Sequence, residues 1–325
     1  MVAILAVRMA NALPHEGDDA SERIVGGKES RPGNFPFIVS LQVKFSGKFQ
    51  HTCGGALISS DTVVTAGHCT PHPSDPRTPE NQNVPRDPES YRVHAGSHDR
   101  ETGGDFVGVK SFFRHPDYLN KDGAPVNDIA IWKLVRSVRK DLNIEFAELP
   151  EPCYDLEPQS KVTAAGWGLL KEQNETNPDA TLPDTLEEVT VAVVDRDTCA
   201  ENIKSSHNSQ PIKENMICAI RPGQDSCQGD SGGPLVKAKT KILVGIVSFG
   251  YGCARKDTPG VYTRVGSFVG FIKKYLSDEP SISDLPGTSD RICPYSSSPD
   301  KPSPHKVPSQ EVHAHKAKSH KVNCH

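Results

Sequence analysis

The sequence predicts an all-β protein, built as a sandwich or as barrels. Many short segments rich in β-branched residues are separated by turn-forming residues, a pattern typical of antiparallel sheets. The strands do not alternate with long helical segments, which argues against βαβ units and a parallel sheet. In Val265–Leu276 the apolar residues fall on a single helical face, so this segment predicts a helix at the end of the folded region.

The predicted strands lie in the central part of the chain. Each is a short run of β-branched or alternating apolar residues, bounded by polar or glycine-containing turns. They are 37–43, 53–58, 62–69, 91–95, 106–109, 129–134, 162–168, 189–194 and 243–249. An insertion rich in Pro, Asn and Asp at 70–90 lacks apolar periodicity and predicts a surface loop.

Composition restricts the class of protein further. The chain has 325 residues and a formal net charge of -4, which gives no global case for binding nucleic acid or an anionic membrane. Its 9 cysteines form no CxxC pair, so they indicate a disulfide framework in an oxidising compartment, with at least one cysteine left over. Neither a metal centre nor a cofactor is predicted.

The first twelve residues are predicted to be a secretory signal peptide. Val2–Val7 is a short apolar run, and Ala10-Asn11-Ala12 has the small-residue pattern of a cleavage site. Arg8 interrupts the run, so we interpret the segment as a signal peptide whose start is missing or misassigned. No other stretch approaches the length of a transmembrane helix, and a secreted, extracellular protein is expected.

Two further segments differ from the folded region. Residues 13–23 are polar and end at Arg23, directly before the apolar pair Ile24-Val25, so they predict either a processed propeptide or a linker before a strand. Residues 277–325 are dominated by Ser, Pro, Lys and His and predict a disordered tail. Five histidines in the last 21 residues are compatible with metal binding, with heparin-like binding or with simple solvation.

One serine stands out among glycines and an acid. Ser231 lies in the segment CQGDSGGPL at 227–235, where glycines permit a tight turn and the close approach of another molecule. A serine hydroxyl is a weak nucleophile unless a base lies against it. His68 and Asp128, each within an apolar stretch, supply a base of suitable pKa and an acid to orient it. Each residue alone is equally typical of a buried structural role.

Six motifs occur in an order and spacing that resemble the chymotrypsin-like serine proteases. They are IVGG at 24, TAGHC at 65, NDIAI at 127, GWG at 166, CQGDSGGP at 227 and SFGYGC at 248. The resemblance covers about 24–276. It implies two six-stranded antiparallel β-barrels, at about 24–145 and 160–265, with the active site between them and a C-terminal helix at 265–276.

The resemblance also implies the catalytic roles. Ser231 would be the nucleophile, His68 the general base and acid, and Asp128 the carboxylate that orients the histidine. The backbone N–H groups of Gly229 and Ser231 would form the oxyanion hole. The reaction would be peptide-bond hydrolysis through an acyl-enzyme, with no cofactor.

Specificity follows from the same resemblance. Asp225 stands where family members with a trypsin-type pocket keep an acid, and Gly250 and Gly260 match positions on the pocket walls. This predicts cleavage after Arg or Lys, whereas the alternative makes Asp225 a solvated loop acid. Ser248, Phe249 and Gly250 resemble the segment that pairs with the substrate backbone. Phe249 replaces the usual Trp.

Activation is expected to require proteolysis. By the resemblance, cleavage after Arg23 frees the α-amino group of Ile24, which then pairs with Asp230 beside the nucleophile. Before the cut the carboxylate lacks this partner, so the oxyanion hole is expected to be incomplete.

The family pattern implies the disulfides Cys53–Cys69, Cys199–Cys218 and Cys227–Cys253. We hypothesise Cys153–Cys293 as a fourth, which leaves Cys324 free or intermolecular. A glycosylation sequon begins at Asn174. Ser97 stands where the family's calcium loop has its first acid, so calcium is not predicted. The 70–90 insertion follows His68 and either restricts substrates or is a plain surface loop.

The sequence thus predicts a secreted zymogen of a trypsin-like endopeptidase. Its partners would be protein or peptide substrates and serine protease inhibitors, with a monomer expected and no nucleic acid or membrane partner. The alternative is a secreted non-catalytic homologue that acts as a binding or cofactor protein. Such homologues usually lose a triad member, and this chain keeps all three.

Overall fold

A computed structural model describes residues 26–71, 87–121, 124–172, 177–178, 180–207 and 211–276. Strands dominate these residues. They are β1 (Lys28–Glu29), β2 (Ile38–Phe45), β3 (Lys48–Ser59), β4 (Thr62–Thr65), β5 (Tyr91–Ala95), β6 (Asp105–Arg114), β7 (Leu119–Lys121), β8 (Ala124–Val126), β9 (Ala130–Leu134), β10 (Lys161–Gly166), β11 (Glu187–Val194), β12 (Met216–Ile220), β13 (Pro234–Lys237), β14 (Leu243–Phe249) and β15 (Gly260–Arg264). Two α-helices accompany them, α1 (Arg196–His207) and α2 (Val269–Lys273).

The first half of the chain forms a closed antiparallel barrel, hereafter barrel one. Its strands follow the order β2-β3-β4-β9-β6-β5, and pairing of β2 with β5 closes the ring. Trp132 on β9 is fully buried and packs edge-on against Tyr91 and Phe112. Its indole N–H donates to the Thr70 hydroxyl at 2.9 Å. This bond ties the strand after Asp128 to the turn that holds His68.

The second half forms another closed six-stranded antiparallel barrel, hereafter barrel two. Its order is β11-β10-β13-β14-β15-β12, and pairing of β12 with β11 completes the ring. The two-residue strand β1 pairs with the start of β11. Small and β-branched side chains fill the interior, around the buried Tyr262. The predicted architecture of two six-stranded barrels is confirmed.

The C-terminal helix bridges the barrels. It begins as a 3-10 turn at Val265–Phe268, continues as α2 and so is shorter in α-helical form than the predicted segment 265–276. Phe268 packs on His115 with ring centres 5.3 Å apart, and Tyr275 stacks on Phe113 at 4.4 Å. The apolar face that predicted the helix therefore covers the end of β6. Among the described residues, no helix has the length and apolar character needed to span a bilayer.

The three disulfides that follow from the family pattern are present. They are Cys53–Cys69, Cys199–Cys218 and Cys227–Cys253. Cys153 is also disulfide-bonded. Its hypothesised partner Cys293 lies outside the described residues, as does Cys324.

Candidate active site

His68 lies on a single 3-10 turn, Gly67–Cys69, directly after β4. Two hydrogen bonds fix it to Asp128, which precedes β9. The His68 backbone N–H donates to Asp128 Oδ1 at 2.8 Å, and His68 Nδ1 lies 2.8 Å from Asp128 Oδ2. Because a carboxylate only accepts, Nδ1 carries a proton, and in the neutral form of the ring the lone pair is then on Nε2. The ring is thus oriented with its basic nitrogen away from Asp128.

Asp128 is 2% exposed, and its carboxylate is held on several sides. The Ser248 hydroxyl donates to Oδ2 at 2.6 Å, and the Thr263 hydroxyl donates to the Asp128 backbone carbonyl at 2.8 Å. Burial acts to raise the pKa of Asp128. The charge of His68 and hydrogen bonds from His68 and Ser248 outweigh it and hold the pKa below its ordinary value.

The loop of Ser231 packs against the turn of His68. The Gly54 N–H donates to the Ser231 carbonyl at 2.7 Å. Gly232 has a φ of +77°, and a Cβ there would collide with the Thr65 side chain and lie 3.1 Å from Cys69 Sγ. Since Cys69 follows His68 and Gly232 follows Ser231, the structure brings the two predicted catalytic loops together. Glycine at 232 is what permits this approach.

Gly229, the predicted oxyanion-hole residue, has a φ of +99°. A Cβ at this position would lie 2.9 Å from the Leu182 side chain. The Gly229 carbonyl lies 2.9 Å from His51 Nε2, and the Ser40 hydroxyl lies 2.8 Å from His51 Nδ1. Burial lowers the pKa of His51 to about 4, so near pH 7 the neutral ring donates from Nε2 and accepts at Nδ1. This pair of bonds fixes the peptide that follows Gly229.

Asp230, between Gly229 and Ser231 in the same loop, is 1% exposed. Its carboxylate accepts from the N–H groups of Gly168 at 2.8 Å and Cys227 at 2.9 Å. A Cβ at Gly168 or Gly166 would collide with this carboxylate. Burial raises the pKa of Asp230 to about 6, although the two N–H donors act in the opposite direction. The glycines of the GWG motif thus make room for an acid that carries a desolvation penalty.

Asp225 lines a cavity of about 210 Å³. The other lining residues are Ser226, Cys227, Gln228, Ser231, Val247, Ser248, Phe249, Gly250, Gly252, Cys253 and Gly260. Asp225 is 5% exposed, and burial raises its pKa to about 7. A Cβ at Gly260 would lie 2.8 Å from Asp225 Oδ1, so only glycine leaves the carboxylate open to the cavity there. All the residues predicted for substrate binding line this one cavity.

The chain just after the predicted cut lies close to this region. The Gln224 amide donates to the Gly26 carbonyl, and a Cβ at Gly26 would collide with the Gly223 carbonyl. Arg23 and Ile24 themselves lie outside the described residues, as do Asn174 and most of the 70–90 insertion.

Two observations bear on metal binding. Within the described residues, the close group of three metal-ligand side chains is Cys53, His68 and Cys69, but its sulfurs are joined in a disulfide. Around Ser97 the loop is closed by its own hydrogen bonds, with the Ser97 hydroxyl donating to the Thr102 carbonyl at 2.7 Å. The disulfide therefore leaves no thiolate in the first group, and in the loop of Ser97 the Asp99 carboxylate accepts from the N–H groups of Glu101 and Thr102.

Comparison with known proteins settles the family. The trypsin family model matches residues 24–272. The chain belongs to the trypsin family. It is 37% identical to a trypsin of Sarcophaga bullata, over 84% of this chain and 95% of that protein, and 39% identical to trypsin theta of Drosophila melanogaster, over 80% and 87%. It is also 34% identical to human chymotrypsin-like elastase family member 3B, over 85% and 97%. This trypsin-family chain is therefore a serine endopeptidase that acts on proteins.

Sequence reasoning missed two residues of the site. Ser248 was expected only to pair with substrate backbone, yet its hydroxyl bonds to Asp128. His51 was not singled out, although it binds the Gly229 carbonyl. For Ser248 the available signal was a polar residue in a buried strand, which many structural residues share. His51 lies between the exposed residues Gln50 and Thr52, so its strand gave no such signal.

Proposed function

We propose that this protein is a secreted zymogen of a trypsin-like endopeptidase that cleaves peptide bonds after Arg or Lys. The single observation that carries the specificity is that the buried carboxyl group of Asp225 lines the same cavity as Ser231. A buried carboxylate without a cationic partner is costly, and a substrate guanidinium or ammonium removes that cost. Because the relatives include both trypsins and an elastase-like protein, family membership alone leaves the specificity open.

The catalytic steps follow from the orientation of His68. Ser231 attacks the scissile carbonyl carbon while His68 Nε2 takes the hydroxyl proton, and Asp128 stabilises the resulting imidazolium. The N–H groups of Gly229 and Ser231 stabilise the oxyanion, a contribution of about 3 kcal/mol per donor. His68 then protonates the leaving amine, the acyl-enzyme forms, and water attacks it by the same steps in reverse order. The 2.8 Å contact between Nδ1 and Asp128 supports this assignment.

Activation would use Asp230. After cleavage behind Arg23, the ammonium of Ile24 pairs with a carboxylate whose pKa burial has raised to about 6. A free α-amino group has a pKa of about 8, and the pairing raises it. The active form is therefore favoured at neutral pH and lost as pH rises through that raised value. The contact between Gly26 and Gln224 supports docking of the new N-terminus in this region.

The catalytic proposal is tested by labelling the protein, cut after Arg23, with a serine-directed phosphonate and mapping the adduct. We expect one adduct on Ser231 and none in a His68→Ala variant. A non-catalytic binding protein would give no adduct in either. Profiling the same protein on a mixed peptide library should show cleavage after Arg and Lys, and cleavage after small apolar residues would contradict the specificity.

The zymogen proposal is tested with an Arg23→Gln variant of the full chain. Treatment with an activating trypsin should raise hydrolysis of an Arg ester substrate in the wild type and leave the variant inactive. The N-terminal sequence of the active product should begin at Ile24. Equal activity of the uncut and cut chains would overturn this part of the proposal alone.

A further inference from the structure

The loop 250–256 forms one rim of the cavity and also contacts Asp225. Gly250, Gly252 and Cys253 line the cavity. The Ala254 N–H donates to Asp225 Oδ2 at 3.3 Å. Ala254 has a φ of +56°, a left-handed conformation that residues with a Cβ adopt at a cost. The surrounding structure must therefore hold Ala254 in the conformation that presents its N–H to Asp225.

One side of this loop is fixed covalently and the other electrostatically. Cys253 is bonded to Cys227. On the far side, Arg255 Nη2 donates to Glu172 Oε1 at 3.0 Å. The Arg255 guanidinium also covers Gly252, since a Cβ at Gly252 would collide with it. The ion pair thus holds the loop directly over a residue that lines the cavity.

The partner segment of Glu172 is anchored to another residue that lines the cavity. The Leu169 N–H donates to the Gln228 carbonyl at 2.8 Å, and Gln228 lines the cavity. Glu172 is 22% exposed and Arg255 49%, so the pair is only half solvated. Through Leu169, Glu172 and Arg255, the 250–256 loop is connected to Gln228 by a route other than the disulfide.

We propose that the Arg255–Glu172 pair is a positioning device for substrate recognition, which holds the 250–256 loop so that Ala254 contacts Asp225 and the rim stays open. The proposal rests on the proposed specificity for Arg and Lys. Neither residue touches the reacting atoms. Loss of the pair therefore affects binding of the substrate side chain and leaves the chemical steps unchanged.

The test is a charge-reversal cycle with the variants Arg255→Glu, Glu172→Arg and the double variant, each activated as full chain. Single reversals should raise KM for an Arg substrate and Kd for benzamidinium about two- to fivefold, the range of half-exposed ion pairs. They should change kcat less than twofold, and the double variant should restore both constants. Lys256→Glu is the matched control, because it places the same charge next door on an exposed residue. It should not raise KM.

A second readout does not depend on activity. Amide hydrogen exchange of the 250–256 segment, in the full chain carrying Ser231→Ala, should accelerate in each single variant and return in the double variant. Unchanged KM, Kd and exchange in the single variants would overturn the proposal, as would a double variant no better than the worse single one. Absence of any Arg or Lys cleavage by the wild type would instead overturn the proposed specificity, while the exchange cycle still decides the role of the pair.

Discussion

The two barrels hold their buried acids in opposite electrostatic states. In barrel one, burial acts to raise the pKa of Asp128, but the charge of His68 and its hydrogen bonds keep that pKa below the ordinary value. In barrel two, burial raises the pKa of Asp225 to about 7 and that of Asp230 to about 6. Among the described residues no basic side chain is paired with either acid. Barrel one supplies Asp128 with its partner His68, whereas the described residues of barrel two supply no cation to Asp225 or Asp230.

In our proposal this difference gives the barrels different functions. His68 and Asp128, the proposed base and its orienting acid, pair with each other and lie beside strands β4 and β9. The acids of barrel two lie in loops held by backbone N–H groups, glycines and the Cys227–Cys253 disulfide. In our proposal, a substrate side chain completes Asp225 and the new N-terminus completes Asp230. Barrel two would then control both the activation of the enzyme and its choice of substrate.

The largest expected effect comes from breaking the pair in barrel one. Asp128→Asn should lower kcat about 10⁴-fold, the loss typical of the same substitution in the Ser-His-Asp triad of serine proteases. The amide would donate to His68 Nδ1 and so favour the wrong tautomer. Stopped-flow hydrolysis of an Arg ester measures the effect.

Asp61→Asn is the matched control for this change. Asp61 also accepts several hydrogen bonds in barrel one, including that of Lys133 at 3.0 Å, but lies away from His68. Its replacement should leave kcat within twofold. If Asp128→Asn behaved like this control, the orienting role of Asp128 would be wrong.

The next effect concerns Asp225, the buried acid that lines the cavity. Asp225→Ser should lower kcat/KM for Arg and Lys substrates about 10²–10³-fold, as expected when one partner of a buried charge pair is removed. The peptide cleavage profile should lose its preference for basic residues. Retained Arg and Lys preference would refute the assignment of Asp225, and labelling of Ser231 in the variant should remain, which confirms that the site is folded.

Sequence motifs predicted the residues of the site and its disulfides, but they missed two hydrogen bonds between distant segments. Ser231, His68 and Asp128 stand in conspicuous local patterns. By contrast, the bond of Ser248 to Asp128 spans 120 residues, and that of His51 to Gly229 spans 178. Such contacts depend on how the barrels close, which no local pattern encodes.

The sequence analysis also missed helix α1 and strand β13, because their local sequence patterns are weak. Helix α1 buries mainly Cys199 and Ile203, so its apolar periodicity is faint. Asp195 caps its start by accepting from the N–H groups of Asp197 and Thr198. Strand β13 has four residues and begins with Pro234, a residue that usually argues against a strand. Pairing with β10 and β14 stabilises it.

The next prediction concerns the pH dependence of benzamidinium binding to Asp225 in barrel two. Since the pKa of Asp225 is raised to about 7, benzamidinium should bind about tenfold more weakly per pH unit below that value and level off above it. Between its ordinary pKa and about 7, native Asp225 keeps a proton that the unfolded chain releases. Its contribution to the free energy of unfolding therefore falls as pH rises through this window. Calorimetric titration with benzamidinium between pH 5 and 8 measures this dependence. The affinity of Asp225→Ser should not change with pH, which would show that Asp225 is the titrating group.

The smallest expected effect concerns Gly67, which lies next to the His68–Asp128 pair of barrel one. Gly67 directly precedes His68 on the 3-10 turn. A Cβ at Gly67 would lie 2.7 Å from Tyr118 Cδ2 and 3.2 Å from Asp128 Oδ1. The Tyr118 ring, which the Arg114 guanidinium covers at 4.4 Å, occupies the space that an alanine needs.

We therefore expect Gly67→Ala to lower the free energy of unfolding by about 1 kcal/mol, the lower end of overpacking costs. The activity should fall only a few-fold, because the bonds between His68 and Asp128 persist once Tyr118 moves. A second substitution, Tyr118→Ala, removes the obstruction. In a double-mutant cycle measured by urea unfolding, Gly67→Ala should then cost close to nothing in the Tyr118→Ala background. An equal cost in both backgrounds would show that the strain lies in the His68 turn itself, and that the charge pair of barrel one depends on glycine at 67.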